Sequence, residues 1–69
     1  MDLKTIEKYI GRRILFKTRL GFKYIIILKQ EYIKDNIISF NKQNGDPVDI
    51  DISEITFVSY SKDRQLLLP

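Results

Sequence analysis

Seven side chains carry the chemistry of anion and base recognition: Arg13, Lys17, Arg19 and Lys23 in one run, then Tyr32, Lys34 and Asn36. Lysine and arginine neutralise phosphates and release the counterions condensed around a nucleic acid. An exposed tyrosine offers a face on which a base stacks. An asparagine amide presents both a donor and an acceptor to a base edge. Each residue also has a plainer role. Charged side chains keep the outward positions of any small domain wet, a tyrosine packs, and asparagine suits a turn on backbone grounds alone.

A second set is acidic: Asp46, Asp49, Asp51 and Glu54. Clustered carboxylates hold hard cations or move protons. Asp49 and Asp51, alternating on one wet strand face, are equally suited to pairing with basic residues of a neighbouring subunit. The chain has no histidine and no cysteine. That removes the commonest metal ligand, the usual general base near neutral pH and any disulfide. Neither a glycine-rich phosphate loop nor a nucleophile–base pair is visible. The expectation is a binding protein, not an enzyme, with no cofactor and no metal.

The net charge of +3 is unevenly spread. Residues 1–34 carry nine basic and three acidic side chains, whereas residues 35–69 carry three basic and six acidic ones. The halves are therefore +6 and −3. Such asymmetry suits a basic face with an anionic partner. It equally suits two halves that attract each other, within one chain or between subunits.

With 69 residues the chain suffices for one domain. A domain of that size buries roughly 60% of the surface of its unfolded chain, so packing must be efficient. Apolar residues make up 43% and charged residues 30%, an ordinary globular balance. Twelve isoleucines and no alanine lean the chain towards strands. The longest apolar run, residues 24–28, is far short of the roughly 20 residues of a membrane span. With no export signal visible, no membrane association and a cytoplasmic location are expected.

Asp2 caps a short helix over residues 3–10, with Leu3, Ile6, Tyr9 and Ile10 on one face and Gly11 as its stop. The period then changes to two. Ile14, Phe16 and Thr18 alternate with Arg13, Leu15, Lys17 and Arg19 in a first strand. Leu20-Gly21 is a tight turn, and residues 22–33 form a long second strand that needs a bend or bulge. Lys34-Asp35-Asn36 turns the chain into a third strand, residues 37–42. Gln43-Asn44-Gly45-Asp46-Pro47 is the strongest turn signal. Val48, Ile50 and Ile52 alternate with Asp49 and Asp51, and after Ser53-Glu54 a fifth strand covers residues 55–60. The tail, residues 61–69, includes Leu66-Leu67-Leu68, which would dock on the domain or a partner, or fray. Of the aromatics Phe22, Tyr24, Tyr32, Phe40, Phe57 and Tyr60, most are expected in the core, with Tyr32 the exposed one. The fold class is mainly β: a short N-terminal helix, then a five-stranded, strongly bent antiparallel barrel over residues 12–60, all in one domain.

This order resembles the Sm-like small β-barrel family, and a generic SH3-like barrel has the same outline. The first Sm-like motif reads V-x-V-x-L-x-x-G-x-x-Y-x-G-x-L. Residues 14–28 follow that spacing without a gap, with Gly21, Tyr24 and Leu28 on matching positions and Asn36 on the family's loop asparagine. The sequence departs at Ile26, where the family has glycine, at Tyr32, where it has aspartate, and at Asp35, where it has an apolar residue. Asp51-Ile52-Ser53-Glu54 stands in place of the basic second motif. The resemblance implies a homo-oligomer that binds RNA or single-stranded nucleic acid, with Asn36 at the bases. The missing second motif and the acidic second half leave a different expectation open: a protein-interaction module, or small regulator, that docks on a larger host protein.

Overall fold

The computed structural model describes residues 1–62. The tail leucines Leu66, Leu67 and Leu68 lie outside the described residues. At the N-terminus, Asp2 Oδ1 accepts the Thr5 N–H at 2.9 Å and starts helix α1 (Leu3–Glu7). The helix is three residues shorter than its sequence pattern. The Tyr9 N–H donates to the Ile6 carbonyl at 2.9 Å and the Ile10 N–H to the Glu7 carbonyl at 3.3 Å, so the end is wound more tightly than an α-helix. Gly11, at φ 88°, then donates to the Leu28 carbonyl at 2.7 Å, which takes the chain into a sheet before a further helical turn forms.

Six strands follow: β1 (Arg13–Thr18), β2 (Lys23–Ile27), β3 (Ile33–Lys34), β4 (Ile37–Asn41), β5 (Pro47–Asp51) and β6 (Ile55–Tyr60). They pair as two antiparallel three-stranded sheets, in the orders β2-β1-β6 and β3-β4-β5. The fold is mainly β with one short helix. The long second strand of the sequence reading is therefore divided. A 3-10 turn, Gln30–Tyr32, separates β2 from β3. Its cause is legible in Lys29-Gln30-Glu31, three polar residues in a row that cannot alternate between a wet and a dry face. A second 3-10 turn, Ile52–Glu54, joins β5 to β6, where Ser53-Glu54 breaks the alternation.

The inner faces of the two sheets and the helix meet in one core. Ile14 and Phe16 from β1, Ile38 and Phe40 from β4, Val48 and Ile50 from β5, and Ile6, Leu28, Ile52 and Ile55 are buried. Phe16 and Phe40 meet edge to face across the sheets, with ring centroids 6.2 Å apart. Burying each such side chain contributes about 1.5–3 kcal/mol. The aromatics divide differently from the sequence expectation. Tyr32 is half-buried, tilted against Phe40 at 6.3 Å, whereas Phe22, Phe57 and Tyr60 are exposed. The isoleucines together with Phe16 fill the space that those rings were expected to occupy.

Because Ile14 is fully buried while Ile27 is 45% exposed, the same truncation separates the two positions. Ile14→Val should cost about 0.5–1.5 kcal/mol, and Ile27→Val no more than about 0.5 kcal/mol, read from urea unfolding midpoints at constant slope.

Candidate binding surface on the first sheet

The register of β1 decides where the cations go. Its pairing sets Lys17 opposite Lys23, Leu15 opposite Ile25 and Arg13 opposite Ile27 on β2. On the other side Lys17 faces Phe57 and Leu15 faces Ser59 on β6. Since Ile14 and Phe16 point into the core, all of these residues share the outer face. One row across the sheet therefore reads Lys23, Lys17, Phe57, and the next reads Ile25, Leu15, Ser59. The face holds three cations and, among the described residues on those three strands, no acid.

Lysines 17 and 23 stand in the closer type of antiparallel pair. The Thr18 N–H bonds to the Phe22 carbonyl and the Leu28 N–H to the Arg12 carbonyl, which makes the even-numbered residues of β1 the hydrogen-bonded partners. The pair Lys17–Lys23 is thus a non-hydrogen-bonded one, where side chains approach most closely. Like charges directly opposite each other destabilise a sheet. The Lys17 ammonium also lies 5.4 Å from the centroid of Phe57, whose side chain is 44% exposed. Arg13 Nε is buried with no hydrogen-bond partner among the described residues.

The remaining candidates lie elsewhere. Arg19 follows the bulge at Lys17/Thr18, and its side chain pairs with Glu54 at 3.4 Å. Tyr32 packs on Phe40, with the Lys29 ammonium 5.8 Å from its ring. Lys34 and Asn36 flank the turn into β4, where Asp35, not Asn36, takes the left-handed conformation at φ 57°. Asn36 instead donates its amide to Asp51 Oδ1 at 2.9 Å. The same oxygen accepts the Ser53 N–H at 2.9 Å and the Ser53 hydroxyl at 2.8 Å. The two loops singled out by the Sm-like resemblance thus adjoin, but a carboxylate sits between them and repels an incoming phosphate. Sequence reasoning placed Arg13, Lys17 and Lys23 on strands but missed Phe57 beside them. Alternation from the buried Ile55 sends Phe57 inward; the bulge beside Lys17/Thr18, which leaves Thr56 out of the pairing, turns it outward instead.

Comparison of the chain with protein-family models, with curated proteins and with solved structures finds no match.

The Ser53 N–H and hydroxyl, with Asn36 adding to them, hold the Asp51 carboxyl below the ordinary value of 3.8. In the unfolded chain those bonds are lost and the ordinary value returns. The bonds therefore stabilise the fold fully above that value, and their contribution fades as pH falls below it through the folded-state value. Asp51→Ala should lower the melting temperature at pH 7, and the gap to the parent should narrow progressively in melts taken below pH 3.8.

Proposed function

We propose that the chain is a non-catalytic binding module whose first sheet takes single-stranded nucleic acid, RNA in the first instance, on its outer face. The observation that carries this reading is the Lys17–Lys23 pair beside the exposed Phe57 ring. Like charges paired across the sheet repel each other until an anion sits between them. A phosphate does so, and Phe57, the next residue in that row, supplies the stacking platform for an adjacent base. Arg13 extends the cationic surface along the strand. The row spans three strands, about 10 Å at the usual strand spacing, which matches a short stretch of single strand better than a duplex groove.

The same two sheets support the barrel architecture as a reading of the fold. On it, β2 and β3 are halves of one bent strand interrupted at Gln30–Tyr32, and the sheets are the two sides of a small Sm-like or SH3-like barrel. The nucleic-acid reading does not depend on that family. It places the ligand on the sheet face, away from the Asn36–Asp51 loops.

One observation favours a second reading. Leu15, Ile25 and Ile27 make the neighbouring rows of the face aliphatic, and Ile27 is 45% exposed. Aliphatic side chains with a cationic border also suit an acidic segment of a host protein.

Fluorescence anisotropy of a labelled single-stranded RNA decides between them. Saturable binding should weaken steeply with salt, and Lys17→Gln should reduce the slope of log K against log salt by about 0.7 for each lost phosphate contact. Phe57→Ala should weaken binding by about 1–3 kcal/mol with the slope unchanged. No binding at low salt, or binding indifferent to both substitutions, would remove the nucleic-acid reading and leave the face to an acidic protein partner.

A further inference from the structure

A second surface, of contrary charge, lies at the tip of the β1–β2 hairpin. A hollow of about 250 Å³ lies between the tip of the β1–β2 hairpin and strand β5. Its apolar wall is formed by Leu20, which is 81% exposed, and Phe22, which is 57% exposed, with Tyr24 behind them. Neither Leu20 nor Phe22 is needed by the core. The other wall is β5, with Asp49 and Asp51 on it and Glu54 just beyond. Arg19 neutralises Glu54, and Asp51 Oδ1 is taken by Ser53 and Asn36. Asp49 makes no hydrogen bond or ion pair among the described residues.

The backbone of β5 completes the site. The Ile52 N–H bonds to the Asn36 carbonyl and the Lys42 N–H to the Asp46 carbonyl, so the even-numbered residues of β5 are the ones hydrogen-bonded to β4. Asp49 and Asp51 therefore turn their own N–H and C=O groups to the other edge, which no strand among the described residues covers. Pro47 lacks an N–H and blunts one end of that edge, confining new pairing to the stretch beside the hollow.

We infer that this edge is a docking site for a basic, extended peptide segment of another protein. The segment adds as a strand to β5 through Asp49 and Asp51, sets an apolar side chain on Leu20 and Phe22, and turns a lysine or arginine to the Asp49 carboxylate. Backbone pairing supplies affinity and the alternating side chains supply selectivity in such strand addition. Charge complementarity asks for a cation beside Asp49. Of the two free edges of the first sheet, β6 reads Ile-Thr-Phe-Val-Ser-Tyr and has none, and β2 has one, Lys23, at its end, so a second copy offers a single cation where a basic segment of another protein offers one at every second position. The site uses none of the side chains of the basic face, so one molecule can hold an anionic strand on that face and a basic segment at the hollow.

The test uses the full chain, labelled with nitrogen-15, and a capped synthetic peptide of alternating lysine and valine, with its glutamate–valine counterpart as control. Amide shifts should move on adding the lysine peptide at residues 20–22 and 48–51, and not at Leu15, Lys17 or Phe57. The glutamate peptide should leave them in place. Asp49→Lys and Phe22→Ser, both at exposed positions outside the core, should each weaken the lysine peptide at least tenfold while the RNA titration is unchanged. Equal response to both peptides, or shifts confined to other surfaces, would overturn the inference. So would concentration-dependent self-association in sedimentation that Asp49→Lys abolishes, because a second copy would then be the occupant.

Discussion

Strand β1 is the element from which the rest of the structure takes its register. It lies in the middle of its sheet, hydrogen-bonded to β2 on one side and β6 on the other. Its strict alternation sends Ile14 and Phe16 into the core and Arg13, Leu15 and Lys17 to the outer face. A slip of one residue would put Lys17 where Phe16 meets Phe40 and expose two of the largest core side chains. The turn that holds this register is small. Gly21, at φ 92°, donates its N–H to the Thr18 carbonyl at 2.9 Å, and Thr18 Oγ1 accepts the Phe22 N–H at 3.2 Å. The same register that satisfies the core obliges Lys17 and Lys23 to stand opposite each other. Stability and the candidate surface are thus two consequences of one pairing.

That constraint explains how charge is distributed in space. The imbalance between the two halves of the sequence becomes an imbalance between two sheets. The outer face of β2-β1-β6 is cationic, and the outer face of β4 and β5 carries Asp49 and Asp51. The only ion pair among the described residues, Arg19 with Glu54, lies on the surface where the hairpin tip meets the second 3-10 turn. With both side chains well exposed it contributes little to stability. On the second sheet Lys34 of β3 shares a row with Ile37 and Asp51, so that outer face is mixed but acidic in balance, while the first sheet's outer face stays cationic.

Much of the fold was legible in the sequence because period-two alternation reports directly on which side chains are buried. Val48, Ile50 and Ile52 are buried as their alternation with Asp49 and Asp51 requires, and β6 covers the residues its pattern marks. Turn chemistry was equally readable: Gly45 takes φ 92° within the Asn44-Gly45 turn, tied by Asn44 and Asp46. The break between β2 and β3 was harder, because an apolar run on either side masks three polar residues. The candidate surface was less legible still. Which faces of two strands coincide depends on the exact turn between them, and that is a property of hydrogen bonding rather than of composition. Phe57 and Lys17 are 40 residues apart in the chain and meet only because β6 returns alongside β1. Asn36 illustrates the converse case. Its type suggested base recognition, while its surroundings commit its amide to Asp51.

On the proposed reading, Lys17 and Lys23 repel each other across their pair until an anion is bound. Thermal unfolding of Lys23→Gln against the parent, without ligand and at low ionic strength, tests it most directly. Lys23 is exposed and touches no aromatic ring among the contacts of the described residues, so the substitution removes the like-charge repulsion and little else. The variant should melt at a higher temperature than the parent, with the gain closing in about 1 M salt, where the screening length falls to about 3 Å. A variant that melts at or below the parent's temperature at low salt would contradict it, and would make the two lysines ordinary members of a solvated face.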